Sequence, residues 1–161
     1  MHHRYLAAFL LPGLLLACDT GLHYQEEHAI PEDSGWTYAD SLSFSFDIAD
    51  TLALYDLILV VDHRTGYPYQ NLYTRVHTLF PSGRRLSQVL SLELMDKVGY
   101  WQGDCRGERC SLRIPIQESA YFNETGTYSL RLEQYMRRDS LPGLDALSLE
   151  VRSTGEKRSL Q

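Results

Sequence analysis

Between residues 42 and 48 the chain alternates strictly. Leu42, Phe44, Phe46 and Ile48 are separated by Ser43, Ser45 and Asp47. A period of two places successive side chains on opposite faces of an extended backbone, so one face meets a core and the other meets water. The same period returns at Leu90, Leu92 and Leu94, at Leu112, Ile114 and Ile116, at Tyr128, Leu130 and Leu132, and at Leu147, Leu149 and Val151. The run 54–61 is nearly all apolar and reads as a central strand, and 72–79 reads as another. Pro115 cannot donate to a ladder, which confines its strand to a sheet edge or a bulge. Turn signals separate the runs at Gly66-Tyr67-Pro68, Pro81-Ser82-Gly83, 103–107, Gly126 and Pro142-Gly143. No segment carries a sustained helical stripe. Residues 86–96 have helical propensity, but their evenly spaced leucines fit a strand better. The expectation is an all-β fold, an antiparallel, jelly-roll-like β-sandwich of about seven or eight strands.

The N-terminus bounds compartment. Arg4 precedes an apolar stretch from about Tyr5 to Ala17, broken by Pro12 and Gly13 and closed by Leu15-Leu16-Ala17-Cys18. A bilayer-spanning helix needs roughly 20 apolar residues. This stretch is shorter and runs directly into Asp19, so it reads as a cleavable signal over 1–17 with lipidation at Cys18. Residues 18–35, acidic and without Lys or Arg, read as a tether in which Leu22-His23-Tyr24 offers an edge strand, 36–152 as the sandwich domain and 153–161 as a polar tail. The chain of 161 residues fits one domain, and its net charge of −6 argues against nucleic-acid partners and against an electrostatic membrane patch. With Cys18 lipidated, Cys105 and Cys110 remain as an even pair in an oxidising compartment. A disulfide between them closes a short loop worth roughly 2 kcal/mol. The rival reading, half of a metal site, lacks a second Cys or His pair at ligand spacing.

Catalytic signatures are absent: the sequence contains no GxSxG, HExxH, SxxK or phosphate-loop motif, and no cofactor or metal is expected. Asp62-His63 resembles an oriented base, but an ion pair of either residue with Arg64 at a strand end is the simpler reading. Asp47, Asp50, Asp96 and Asp104 offer oxygens for calcium, though solvated loop carboxylates account for them more simply. Recognition is the stronger theme. Tyr67-Pro68-Tyr69, near Asn71 and Tyr73, forms a stiff aromatic loop, and tyrosine offers contact area at low entropic cost. Tyr100 and Trp101, between Gly99 and Gly103, form a second candidate surface. The alternative is that these rings plug the ends of the sandwich. Arg137, followed by Arg138 at a strand end, is a candidate contact for a partner carboxylate.

Several segments together resemble a known family. The cysteine at the signal end is followed by a short acidic stretch and a Trp, then by FSFDIADTLALYDLILVV, HRTGYPYQNLY, GYWQG, FNETGTYSLRLEQYMR and LPGLDALSLEV. This set resembles the gliding motility-associated lipoprotein GldH family across nearly the whole chain after Cys18. Tyr67-Pro68-Tyr69 with Asn71-Leu72, 99–103 and 134–137 are the most specific pieces. The Cys105 and Cys110 pair departs from the family pattern. The resemblance implies a lipid-anchored, non-enzymatic envelope component, held at the membrane through its N-terminal lipid. It also implies an outer-membrane location, with the periplasmic or surface side open, and a place among other envelope motility or secretion proteins. A glycan- or peptide-binding sandwich that uses exposed tyrosines is the alternative.

Overall fold

The computed structural model describes residues 21–159. They contain eleven strands and no helix: β1 (Leu22–Ala29), β2 (Trp36–Thr37), β3 (Ser41–Ile48), β4 (Ala53–Arg64), β5 (Asn71–Leu79), β6 (Arg85–Glu93), β7 (Asp104–Arg106), β8 (Arg109–Ala120), β9 (Gly126–Gln134), β10 (Ser140–Leu141) and β11 (Leu144–Lys157). A five-stranded sheet runs β1-β11-β4-β8-β7 and a four-stranded sheet runs β3-β9-β5-β6, with β2 and β10 as a small separate ribbon. Every pairing is antiparallel.

The alternating residues build one core between the two large sheets. Leu42, Phe44, Phe46 and Ile48 of β3 are buried and face Leu57, Leu59 and Val61 of β4 and Leu147, Leu149 and Val151 of β11. The serines of β3 are exposed. Fully burying one such side chain contributes about 1.5–3 kcal/mol, so the two inner faces supply most of the cohesion. β4 lies between β11 and β8, which accounts for its nearly continuous apolar sequence. Aromatic edges fill one end: Phe122 meets Tyr128, Tyr55 and Phe46 at ring distances of 4.7, 5.6 and 5.7 Å. Trp36 is wholly buried and donates its Nε1–H to the Asp40 carbonyl at 3.1 Å.

The all-β sandwich expected from the alternation is the architecture found, and three details refine it. Residues 22–29, assigned to the tether, form β1 and pair with β11 from Leu22↔Arg152 to Ala29↔Ala146, so the folded domain begins well before Trp36. Residues 153–157, assigned to the tail, continue β11, where Thr154 Oγ1 donates to the Leu54 carbonyl at 3.2 Å. The strand marked by Leu90, Leu92 and Leu94 begins at Arg85 and ends at Glu93, so Leu94 lies just beyond it. Pro115 sits opposite Ile58 next to a register break in β4, and β7 covers only the first residues of β8, so it lies on an edge and beside a bulge. The proposed signal and Cys18 lie outside the described residues.

Candidate functional site

β1 enters the sandwich at one end and leaves at the other. Gly21 lies beside Ser153, whose N–H donates to the Gly21 carbonyl at 2.6 Å, whereas Ile30 bonds to the Asp145 carbonyl at 2.8 Å. Eight strand residues separate the two ends by roughly 25 Å. The segments with the strongest motif character, 67–71, 99–103 and 134–138, all gather at the end remote from Gly21, because β4, β5, β9 and β11 turn there.

Tyr67 is not exposed. It is 3% accessible, its backbone N–H donates to the Arg64 carbonyl at 2.9 Å, and its hydroxyl is 3.5 Å from the Asn71 carbonyl. Gly143 lies against it with φ +86°, and a Cβ there would meet the Tyr67 Cα at 3.2 Å. Burial raises the Tyr67 hydroxyl pKa well above the ordinary tyrosine range, and Tyr69 adds to the effect, so the group stays neutral. The expectation of Tyr67 as a surface contact is therefore corrected: its ring is part of the core. It supports others instead. Trp101 meets His63 at 4.6 Å, His63 meets Tyr67 at 6.1 Å, and Tyr67 meets half-buried Tyr69 edge-on at 5.5 Å. Trp101 packs against the core, which favours the plug reading for that ring. This row of rings couples the Pro68 loop to the 96–101 loop. Asp96 shapes the latter by accepting the Val98 and Tyr100 N–H groups, each at 2.9 Å, and leaves Tyr100 projecting into solvent.

Exposed and partly buried residues converge beside this row over buried Met136. Tyr69, Tyr73, Val89, Tyr135, Met136, Arg137 and Arg138 line one surface depression of about 560 Å³. Tyr73 and Tyr135 are 42% and 47% accessible, and the Arg75 guanidinium lies over the Tyr135 ring at 4.2 Å. Arg137 and Arg138 have no ion-pair partner among the described residues. Their backbone is held from within: buried Gln134 accepts the Met136 N–H at 2.9 Å and donates to the Arg138 carbonyl at 2.7 Å. The Tyr38 hydroxyl donates to the Met136 carbonyl, and Met136 Sδ accepts the Tyr73 N–H at 3.3 Å. The result is an aromatic floor with a cationic rim on a rigid support. Tyr69 and Arg137 belong to it, and Pro68 is exposed next to it. Asn71 turns to Ser91 at 3.4 Å, and Tyr100 and Trp101 lie on the other loop. Reading motifs alone missed Val89, although the 134–137 stretch singled out in the sequence contains Tyr135. The available signal was parity: Val89 precedes Leu90, an inward-facing position of β6.

Other candidates resolve into structural roles. Arg64 pairs with Glu32 at 2.9 Å and Asp145 at 3.0 Å, not with Asp62 or His63. His63 is fully buried, with Nδ1 at 3.0 Å from the Arg64 carbonyl. Asp47 accepts from the Thr127 hydroxyl at 2.5 Å, Asp50 pairs with Lys157 at 2.9 Å and Asp104 with Arg106 at 2.9 Å. The four carboxylates are thus dispersed, and the described residues hold no group of three or more potential metal ligands. Cys105 and Cys110 face each other across the β7–β8 hairpin and are joined as a disulfide.

Residues 22–151 match the family model described as GldH lipoprotein. The chain is similar to the "Gliding motility lipoprotein GldH homolog" of Christiangramia forsetii, 28% identical over 126 residues that cover 78% of this chain and 76% of that protein. It is also similar to the "Gliding motility lipoprotein GldH" of Flavobacterium johnsoniae, 24% identical over 135 residues that cover 83% and 82%.

Proposed function

The chain belongs to the GldH lipoprotein family, and from that premise we propose that it is a non-enzymatic assembly component of an envelope gliding and secretion apparatus, anchored by lipid at Cys18. Family membership associates it with gliding motility and with the cell envelope. The observation that carries the finer reading is the placement of the aromatic and cationic depression at the end opposite Gly21. Only Asp19 and Thr20 separate Cys18 from Gly21, a reach of about 3.5 Å per residue. A bilayer at Cys18 therefore holds the near end close and leaves the far end facing outward. The outer membrane is the proposed site.

In this role the domain binds instead of catalysing. Tyr69, Tyr73 and Tyr135 supply contact area, and Arg137 and Arg138 supply charge for an acidic partner. Deleting the gene and tracking cells on agar tests the proposal: loss of gliding and of surface-adhesin secretion is expected, and normal movement with normal secretion contradicts it. A second reading, glycan binding, is favoured by the exposed Tyr73 and Tyr135 rings. Calorimetric titration with envelope polysaccharide, using wild type and Tyr73→Ala/Tyr135→Ala, distinguishes it, since heat lost only in the variant supports a sugar platform.

A further inference from the structure

Unpaired sheet edges invite other strands, and natural sheets blunt them with charge, proline, bulges or covering segments. Three of the four edges here carry such a device. β1 places Glu26 and Glu27 along its eight residues. The free backbone of β3 is satisfied by side chains of β1: His23 Nε2 lies 2.6 Å from the Asp47 carbonyl, the Ser45 N–H donates to Tyr24 Oη at 3.1 Å, and His28 Nε2 lies 3.0 Å from the Ser43 carbonyl. β8 carries Pro115 and a register break, and β7 covers its start. β6 carries none. Its nine residues pair with β5 in unbroken register, its only charges are terminal, and its other edge is open. Leu86 and Val89 stand 54% and 48% accessible on it.

The sequence of β6 is complementary to itself. Reversed about Val89, it places Val89 opposite Val89, Gln88 opposite Leu90, Ser87 opposite Ser91, Leu86 opposite Leu92 and Arg85 opposite Glu93. Neither Arg85 nor Glu93 has an ion-pair partner among the described residues. We propose that β6 pairs antiparallel with β6 of a second copy about a two-fold axis at Val89, joining two four-stranded sheets into one of eight strands. Two-fold homodimers are the commonest symmetric assembly, and their contacts are self-complementary in this way. Main-chain hydrogen bonds give the affinity, while the two opposed Arg85–Glu93 pairs select the register over slipped alternatives. The partner strand also continues the inner sheet face over the cleft of about 240 Å³ that Leu86, Gln88, Ile116 and Phe122 line between β6 and β8. This inference stands independently of the motility role.

Cysteine cross-linking of the full-length protein in its own membranes tests it. Residues directly opposed in an antiparallel pair have Cα atoms about 4.5–5.5 Å apart, within disulfide range. Under a mild oxidant, Val89→Cys is expected to give a covalent dimer at least tenfold above Glu93→Cys, because the two Glu93 residues lie roughly 26 Å apart across the axis. Wild type sets the background from the native cysteines. Adding Arg85→Glu to Val89→Cys should lower the yield at least threefold, and adding Glu93→Arg to that pair should restore it. A Val89→Cys yield no greater than that of Glu93→Cys overturns the proposal and leaves the edge to a foreign strand. Failure of the charge exchange to restore the yield overturns the register.

Discussion

Glu150 shows how one residue is made compatible with burial. It points to the outer face of β11, where its carboxylate is nearly inaccessible, yet Arg113 clamps it through two contacts of 2.5 and 2.6 Å, and Arg152 adds a third at 3.3 Å. The Arg113 bonds hold the Glu150 carboxyl below the usual glutamate range against the opposing effect of desolvation. A depressed carboxylate stabilises the fold above its unfolded pKa of about 4.3, and that contribution fades as pH falls through the lower folded value. Arg113→Met should therefore cost about 1–3 kcal/mol at neutral pH, discounted from a fully buried pair because Arg113 is half exposed. The difference from wild type should shrink in acid, as urea unfolding at both pH values would show. Tyr67 makes the complementary case. Tyr67→Ala should cost about 3–5 kcal/mol in the same assay, whereas Tyr67→Phe, losing only a 3.5 Å contact, should cost under about 1 kcal/mol. The sequence left this residue between a surface contact and an end plug, because Pro68 signals a loop. Loop membership says nothing about whether a ring folds inward: His63 and Tyr69 lie within four residues of Tyr67, but the Gly143 backbone that closes over it comes from a distant segment.

At the scale of elements, period two was enough for β3, β8, β9 and the centre of β11, because each must present one apolar face, while β4 was marked by its nearly continuous apolar run and β5 was read as a further strand over 72–79. β1 was legible only at its start, where Leu22-His23-Tyr24 offered an edge strand. Its inward positions are Tyr24 and His28, half-buried and separated by acidic residues, so no hydrophobic signal carries the strand on to Ala29. Its role is to close the side of the sandwich through side-chain bonds to β3, a contact between segments with no local signature. Residues 153–157 were missed for a similar reason: Gly155, at φ +79°, and polar neighbours suggest a frayed end, yet pairing with β4 continues to Lys157↔Ala53. The β7–β8 hairpin carries its own staple. Reducing Cys105–Cys110 should speed amide exchange across 104–111 and cost roughly 2 kcal/mol, leaving exchange in β4 and β11 within that same global shift.

For the whole molecule, placement matters more than chemistry. Gly21 and the depression around Tyr135 lie at opposite ends of the sandwich, and the proposed function uses that separation: with lipid at Cys18, the domain would serve as a short spacer with one adhesive tip. Cys18→Ser should move the protein out of the membrane fraction or trap it as the uncleaved form, read by fractionation and by mass of the product. A normally processed, membrane-bound variant would contradict lipidation there. The sequence made the fold and, through the family it resembles, the association with the cell envelope legible, but the tip was legible only in part. Tyr69, Tyr73, Tyr135 and Arg137 lay in or beside the stretches marked by motif, while Val89 joins them only because β5, β6 and β9 lie side by side. The most direct measurement is complementation of a deletion strain with full-length protein carrying Tyr135→Ala, Arg137→Glu and Arg138→Glu, with its membrane level verified against wild type. The account predicts that cells holding normal amounts of this variant fail to glide. Wild-type gliding at equal membrane level would show that the far end is not the working surface.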